Sequence, residues 1–525
     1  MIDSKTINSK NAFIAFFQLI KSEAKSISSI YILAILSGII SLSLPLGIQS
    51  IINFTQGGRL STSWVVLIVA ITIGIIFSGY LNIFQIEIIE KIQQRFFVKS
   101  GFNFTLKLAS SKVNLADGKN PDKVSNLFFE TINFQKGLYK FLSEIITAIV
   151  QLIFGIFLLS LYNTAFLLFG VLLILLLIII IRFSTSKGLS TSLMESNEKY
   201  NMVAWLQQIG RNHTIFNPIA RTSHLFSKSD HILNNYVNQR TNHFAILKFQ
   251  YWNIIIFKAI ISSVLLIIGS ILVVNGQINL GQFVASEIIV LLVINSAEKI
   301  IFSMDSIYDL LTASVKLKKI EELDLEVDLH SKFNFNEIFS SDTLTLENKS
   351  SENTISILIN RGEFIELLKN DPIIDSLKKL VLYKPEEKIT LNSIPLKTIN
   401  TTSLRKNIAL CGFSLRILNG SLLENITLQN NIEDIPKIYN LASILGFDLV
   451  IDQLPNGMET ILNEYTLEND NQLKFSIELL RKLYFMPNLL IVNLPDFLNP
   501  EVKNKMTSGL KSLFKNHFLI LIQNV

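Results

Sequence analysis

Between Phe141 and Ile181 the chain is nearly unbroken Ile, Leu, Phe and Val, with Glu144 its single charged residue and one soft interruption at Tyr162-Asn163-Thr164. A helix needs about 20 apolar residues to cross the hydrocarbon core, so this run is long enough to cross twice. Inside lipid each backbone N–H must find its acceptor within its own segment, which selects helix over open sheet. The pattern predicts two spanning helices joined by a tight, uncharged turn. Four further runs have the same character: Ile30 to Ile52, with Pro45 late in it; Trp64 to Ile86; Trp252 to Val274; and Leu280 to about Ile301. Trp64 falls at an interface, where aromatic rings anchor. Six spans result, two pairs of them joined by the short turns Gln56-Gly57-Gly58-Arg59 and Asn275 to Asn279.

The polar stretches on the other side are long. Lys91 to Lys140 and Arg182 to Lys248 carry many Lys and Arg, whereas the short turns carry almost none. Lys and Arg are retained on the cytoplasmic side. Both arms, both termini and the soluble domain are therefore expected in the cytosol, with the protein multi-pass in the inner (plasma) membrane. Phe128, Phe129, Ile132 and Phe134 recur at helical spacing, and breaks fall at Asp117-Gly118-Lys119-Asn120-Pro121 and between Gly210-Arg211 and Asn217-Pro218. Each arm is expected as one helix out, a short turn and one helix back. Asn11 to Ile27 interleaves apolar residues with Lys21, Glu23 and Lys25, which reads either as an amphipathic helix in the interface or as a cytosolic extension of the first span. With no small-residue cleavage site after an apolar core, insertion is expected to be driven by the first span itself.

Charge returns from Asp305 to Leu325, so the sixth helix is expected to end near Asp324. A transmembrane domain is assigned to residues 1–325 and a soluble domain to 330–525. In the latter, β-branched runs (Thr354 to Ile359, Lys406 to Leu410, Leu489 to Val492, Phe518 to Ile522) alternate with helical stretches (Glu433 to Leu445, Gln472 to Phe485, Glu501 to Lys515). Alternating strand and helix predicts a parallel sheet with helices packed on it.

Composition agrees with this division. Hydrophobic residues make up 49% of the chain and charged residues 17%, far from an average soluble domain. The net charge of +5 comes mostly from the juxtamembrane arms, which argues against a nucleic-acid partner. The single cysteine, Cys411, excludes an intrachain disulfide and a cysteine zinc cluster, and reads as a small buried apolar side chain. His213, His224, His231 and His243 lie on the second arm without the tight spacing of a metal-binding helix.

Six spans, two long arms and a C-terminal α/β domain together resemble the ABC exporters of the type I half-transporter kind. Local stretches carry the same resemblance in order. Gly281-Gln282-Phe283-Val284-Ala285 is similar to the family's entry to the sixth helix. Ile359 to Phe364 is similar to the strand leading to the phosphate loop. Ile394 to Lys397 with Ser403 to Ile408, Asn419 to Ile426, and Arg481 to Leu490 follow at the family's spacing. The whole is most similar to secretion-type exporters that work with a periplasmic adaptor. The resemblance implies a multi-domain fold: an α-helical six-span transmembrane domain of ABC exporter type, then an α/β P-loop-NTPase-like domain. It also implies a dimer in the lipid bilayer, either homodimeric or with an intact ABC subunit. The turns at Asp117 to Pro121 and around Gly210 to Pro218 would be the coupling contacts with soluble domains.

By the same resemblance the soluble domain should hold ATP and Mg²⁺, yet the residues at its stations differ. A P-loop needs glycines whose bare N–H groups wrap phosphates, a lysine for the β- and γ-phosphates and a hydroxyl on Mg²⁺. No glycine occurs between Gly362 and Gly412. The lysine station falls at Asp375, with Ser376 beside it, and the nearest upstream lysine is Lys369. The family's coupling glutamine falls at Phe413. The signature falls near Asn469 to Leu473, with Asp470 and no glycine. The Mg²⁺-binding carboxylate falls at Asn493, the catalytic carboxylate at Leu494, and the switch histidine near Asn524. Asn493 lacks the charge that holds Mg²⁺, and Leu494 cannot accept a proton. The expectation is a degenerate domain with no cofactor, and no catalytic or metal-binding residues.

Lys258 and Glu287 are ionisable groups inside the fifth and sixth spans, where such groups mark a substrate path or a pairing, or snorkel and pack between helices. Glu144, at the cytosolic edge, is expected to be solvated. Two functions remain open on the sequence. One is a membrane-spanning subunit of an ABC exporter or type I secretion-like transporter that cannot use ATP itself. The other is a non-transporting scaffold or regulatory pseudo-transporter that docks an adaptor or another transporter.

Overall fold

The computed structural model describes residues 9–56, 62–110, 121–212, 222–322, 341–349, 354–382, 389–429, 434–463, 467 and 470–523. It divides into two compact units, Met1–Leu325 and Glu326–Val525. The turn residues Asp117 to Asn120, and Asn217 and Pro218, lie outside the described residues, as does Asn524.

The described residues of the first unit are helical apart from short breaks. α1 (Ser9–Ile20) leads through a short 3₁₀ turn to α2 (Ala24–Ser41) and α3 (Ser43–Gln56). The predicted first span is thus two helices. Pro45 has no N–H to donate to Ser41, and the helix parts at Leu42. α4 (Thr62–Ser110) is 49 residues long. At 1.5 Å per residue it reaches about 70 Å, more than twice the hydrocarbon thickness, so the first arm begins as its uninterrupted continuation. α5 (Pro121–Asn126) and α6 (Glu130–Lys140) return toward the bilayer, and a π-helical turn at Phe141–Ile145 leads into α7 (Ile146–Tyr162).

Asn163, with φ −160° and ψ 145°, makes the break that the sequence marks. α8 (Thr164–Arg211) and α9 (Thr222–Val274) are single long helices that form the second arm and the fourth and fifth spans. α10 (Leu280–Phe302) starts with a reciprocal cap: Asn279 Oδ1 accepts from Gln282 N, and Asn279 N donates to Gln282 Oε1, each at 2.8 Å. α11 (Met304–Glu321) continues it after a break at Ser303.

Among the described residues, six helical stretches are long and apolar enough to cross a membrane. Their outward faces stay apolar, as Val65, Val69, Ile73, Ile76 and Ile83 on α4 show, and a bilayer accounts for a surface that water would not tolerate. α1 does not lie loose at an interface. Ala12, Phe16 and Leu19 are buried with Phe134 of α6, while Phe13 and Phe17 face outward. Gly137 of α6 and Gly188 of α8 allow close approach to α11. A Cβ at Gly137 would lie 2.7 Å from Leu310, and one at Gly188 would lie 2.3 Å from the Tyr308 ring.

Among its described residues the second unit has two four-stranded sheets and one short two-stranded pair. β3 (Phe364–Leu368), β10 (Phe518–Gln523), β9 (Leu489–Asn493) and β6 (Ile408–Cys411) form the parallel sheet, in that order. α12 (Ile373–Leu382), α13 (Thr401–Asn407), α17 (Asn471–Tyr484) and α18 (Pro500–Leu513) belong to the same unit. Strands buried on both faces read as continuous apolar runs, and β9 and β10 do so. The sequence reading expects a parallel sheet but wrongly counts Thr354 to Ile359 in it. β3 takes that place, and the Thr354 run belongs to a second, antiparallel sheet that the reading does not expect: β2 (Thr354–Asn360), β1 (Thr343–Lys349), β4 (Ile389–Leu391) and β5 (Ile394–Pro395). Its last two strands are too short to show a period. Between β6 and α17 lies a smaller helical region: β7 (Gly420–Ser421), α14 (Leu422–Thr427), α15 (Ile435–Leu445), α16 (Asp448–Asp452) and β8 (Ile461–Leu462).

Candidate functional site

Four residues, Lys369 to Pro372, join β3 to α12. The backbone closes this turn tightly. Lys369 N donates to Gln523 O at 3.0 Å, Asp371 N to Leu368 O at 2.9 Å, and Ile374 N to Asp371 O at 3.1 Å. Asp371 Oδ1 accepts from Ile373 N at 3.0 Å. A helix N-terminus offers unbonded N–H groups and partial positive charge, and so attracts anions. Here the chain's own carboxylate occupies that position.

The neighbouring side chains are engaged in the same inward way. Lys369 Nζ lies 3.7 Å from Asp496 Oδ2. Asp375, in the first turn of α12, pairs with Lys378 at 3.6 Å. Ser376 is buried inside the helix rather than at its start, and accepts from Asn348 Nδ2 at 2.8 Å, which ties β1 to α12.

At the ends of β6 and β9 the chain binds to itself again. Gly412 takes φ +79°, and a Cβ there would lie 2.1 Å from Asn493 O. Its N–H donates to Glu478 Oε2 at 3.1 Å, and its carbonyl accepts from Asn493 Nδ2 at 2.9 Å. Phe413 is half-buried, with Lys378 Nζ 5.6 Å from its ring centre. Leu494 is buried and its N–H donates to Ile522 O at 2.8 Å. Asp470 caps α17 by accepting from Leu473 N at 2.9 Å.

Sequence reasoning passed over Glu478, which sits inside α17 in a run read only as helix. Burial pushes its carboxyl above the usual range, against the pull of the Gly412 N–H, Lys482 and Arg481. Burial also holds the adjoining Cys411 thiol well above its ordinary value, and the Glu478 charge adds to that.

In the first unit the expected groups are placed differently. Lys258 Nζ pairs with Glu298 Oε2 at 2.9 Å. Glu287, half-buried, stands about three turns back along α10 from that carboxylate. Glu144 is not simply solvated. It is half-buried and accepts from Ser303 Oγ at 3.4 Å, at the break between α10 and α11. Gly210 and Arg211 end α8.

A dense polar cluster lies where the sequence suggests only helical arms. Lys316 of α11 and Glu130 of α6 pair at 3.1 Å, with side chains 1% and 2% exposed. Ser196 of α8 donates to Glu130 at 2.9 Å and accepts from Lys316, and Asn133 donates to the other Glu130 oxygen at 2.9 Å. Nearer the bilayer, Glu195 of α8 takes Arg240 of α9 at 3.1 Å and Lys199 at 3.2 Å. His243, fully buried, bridges Thr191 at 2.8 Å and Asp305 at 3.1 Å. Ser192 donates to Asp309 at 3.2 Å. The available signal was a stripe on α11: Asp305, Asp309, Thr312 and Lys316 recur every three or four residues and share one face.

No family model matches the chain. Alpha-hemolysin translocation ATP-binding protein HlyB of Escherichia coli O157:H7 is 24% identical over 271 residues, which are 48% of this chain and 38% of that protein. Putative export ATP-binding/permease protein RT0691 of Rickettsia typhi is 23% identical over 272 residues, 49% of this chain and 46% of that protein. The matched stretch spans less than half the length of each of these curated relatives. The solved structure of a bacterial Atm1-family ABC exporter with ATP bound aligns with a TM-score of 0.78 at 14% identity, covering 96% of this chain and 91% of that one. The chain has the fold of an ABC exporter, and these curated relatives are named as a translocation ATP-binding protein and an export ATP-binding/permease protein.

Proposed function

We infer that the chain is a membrane-spanning subunit of an export system whose own soluble domain neither binds nor hydrolyses ATP. The observation that carries this reading is the Lys369 to Pro372 turn. It is too short to wrap a triphosphate, has no glycine, and directs the Asp371 carboxylate onto the Ile373 N–H at the start of α12, where a phosphate would bind. The residues at the other stations do not fit Mg²⁺–ATP either. Asn493 is neutral and donates its amide to Gly412 O, and Leu494 is a buried apolar side chain. A cation such as Mg²⁺ requires hard anionic oxygen.

The subunit works as a dimer in the inner membrane, with the soluble domain in the cytosol where the basic arms place it. Its partner is a second copy or an intact ATPase subunit, and a periplasmic adaptor completes the secretion-type arrangement. Energy comes from that partner or from another source. Asp117 to Pro121 and Gly210 to Pro218 are the contacts through which the arms meet soluble domains. Lys258 and Glu287 line the path of the exported substrate, with Glu298 holding Lys258 in place.

Equilibrium binding of ATP to the purified full chain, with Mg²⁺, tests this. The expected result is no saturable binding below about 1 mM, an affinity of only ~4 kcal/mol. Micromolar, Mg²⁺-dependent binding would overturn the reading. Deleting the gene and finding export of every neighbouring product unchanged would overturn the transport role.

A further inference from the structure

The third and sixth spans both lose their regular helix where they give way to the arms. On the third, the π-helical turn Phe141–Ile145 joins α6 to α7, and Ile146 N donates to Phe141 O, five residues back rather than four. On the sixth, Ser303 parts α10 from α11. Glu144 of the turn accepts from Ser303 Oγ at 3.4 Å, a long bond that still sets the two irregularities side by side. Proline and glycine, common causes of a bend, are absent from Phe141 to Thr147 and from Lys299 to Asp305.

Side chains hold the turn in this form. Ser143 Oγ donates to Tyr139 O and Thr147 Oγ1 to Ser143 O, each at 2.7 Å. Hydroxyls that bond back by four residues recur in spanning helices and bend them slightly. Gln85 is less ordinary. It comes from another helix, α4, is 2% exposed, and donates its Nε2 to Leu142 O at 3.0 Å. A π turn widens the ladder of main-chain bonds, and in a bilayer a carbonyl released from that ladder needs a side-chain donor.

On either side of this level the helices pack tightly. On the arm side α6 lies against α11, where a Cβ at Gly137 would come 3.0 Å from Ser306 O. It also lies against α4, where Gln93 Nε2 donates to Gln135 O at 2.7 Å and Gln135 Nε2 to Gln93 O at 2.8 Å. On the span side α7 lies against α10, where a Cβ at Gly155 would come 2.5 Å from Val293 Cγ2. Closely packed helices do not deform smoothly, so a change of angle falls to the segment between them.

We propose that Phe141–Ile145 and Ser303 form one joint, on which α7 and α10 pivot as a pair against the arm bundle of α4, α6 and α11, and that Gln85 is the latch holding the joint at its present angle. The 17 residues of α7 make a lever of about 25 Å, so a bend of about 20° carries its far end about 9 Å. α4 is unbroken and tied to α6, so the motion separates the far end of α7 from that of α4. The joint belongs to the first unit alone and stands whether or not the soluble domain binds nucleotide.

Double electron–electron resonance on the full chain in lipid nanodiscs tests this. Cys411→Ala leaves only introduced cysteines to carry spin labels, and labelled chain is diluted into unlabelled chain. Val66→Cys with Leu161→Cys, both exposed, spans the joint. Val98→Cys with Lys136→Cys lies within the arm bundle, and Leu161→Cys with Leu280→Cys within the α7–α10 pair. Gln85→Met, similar in size but without a donor, should broaden or shift the first distance by about 5–10 Å and leave the other two as they are. Gln85→Asn, whose amide falls one methylene short of Leu142 O, should do the same. A first distance that neither variant changes overturns the proposal. So does a change that both variants also produce in the other two pairs, which would make Gln85 a general packing residue.

Discussion

The helical arms and the turns of the soluble domain treat polar side chains in opposite ways. In the arms, ionised groups pair with one another across helices, Lys316 with Glu130 in the interior and the half-exposed Arg240 with the buried Glu195. In the soluble domain, polar side chains at strand ends and helix starts are engaged by backbone: Asp371 by Ile373 N, Asp470 by Leu473 N, and Asn493 by Gly412 O on the neighbouring strand's end. A buried ion pair is a poor source of stability and a good source of register, because one partner alone leaves an unpaired charge in the interior. A cap or a turn bond is local and holds one loop still. The difference teaches that specificity in this chain is invested where four helices must keep their alignment. The turns where a family member would seat a ligand are closed on themselves.

The sharpest way to break that comparison is Lys316→Met. It strands the Glu130 carboxylate among buried groups, and losing one member of such a pair costs about 3–5 kcal/mol. Thermal unfolding of the full chain in detergent should show a large drop. Glu130→Leu combined with Lys316→Met should recover most of it, because both charges leave together. A single variant as stable as the parent would place this pair with exposed ones, which are worth about 0–1 kcal/mol.

Next comes Gly412→Ala. The left-handed φ and the approach of Asn493 O leave no room for a methyl group, and strain of this kind costs about 1–3 kcal/mol. Because Cys411 adjoins it and is fully buried, faster thiol labelling should report the loss within the soluble domain. Unfolding of the arms, followed by tryptophan fluorescence, should be unchanged. Asp371→Ala removes the cap of α12 at a cost of about 1 kcal/mol, and should bring no ATP affinity with it.

Glu478 gives the comparison a pH axis. Its folded pKa is raised, so the folded state binds the proton more tightly than the unfolded chain does. The favourable contribution is complete below the unfolded value, near 4.5, and is lost as pH rises through the folded value. Cys411 protection should therefore weaken from acid toward that higher pH, after correction for intrinsic thiolate reactivity. Glu478→Gln, which keeps an acceptor for Gly412 N–H, should abolish the trend. A trend that survives the substitution would assign it elsewhere.

How much of this was legible in the sequence follows from the range of each interaction. Spans are read from runs of twenty apolar residues, and the Asn163 break and the Asn279–Gln282 cap are signalled by residues three apart or fewer. β9 and β10 are continuous apolar strings and were legible too. β4 gains its place by pairing with β1, 40 or more residues away, and β5 only by pairing with β4, and neither is long enough to show a period of its own. The same holds for side chains. The identities at Asp375, Asn493 and Leu494 are visible in the string, but the Asp371 cap depends on how short the turn becomes in three dimensions. Glu130 and Lys316 are 186 residues apart and look like ordinary arm charges until α6 and α11 are brought together. Lys258 had a visible charge and an unforeseen partner, because Glu298 lies near the end of a helix in which the sequence reading singled out only Glu287.

The smallest effect is also informative. Lys369 is the nearest lysine to the place where a phosphate loop would present one, and it reaches Asp496 at 3.7 Å with both side chains half in water. Screened pairs of this kind contribute about 0–1 kcal/mol, and Lys369→Ala should leave unfolding within about 0.5 kcal/mol of the parent. A phosphate-binding lysine behaves otherwise, since its removal abolishes nucleotide affinity and any nucleotide-dependent stabilisation. Thermal unfolding of parent and variant with and without millimolar Mg²⁺–ATP separates the two cases. Four matching curves are expected. A nucleotide-dependent rise in the parent that vanishes in Lys369→Ala would show a ligand competing with Asp371 for the α12 N-terminus. The turn would then be an adaptable site, and the contrast with the arms would fail at the position where it is drawn most firmly.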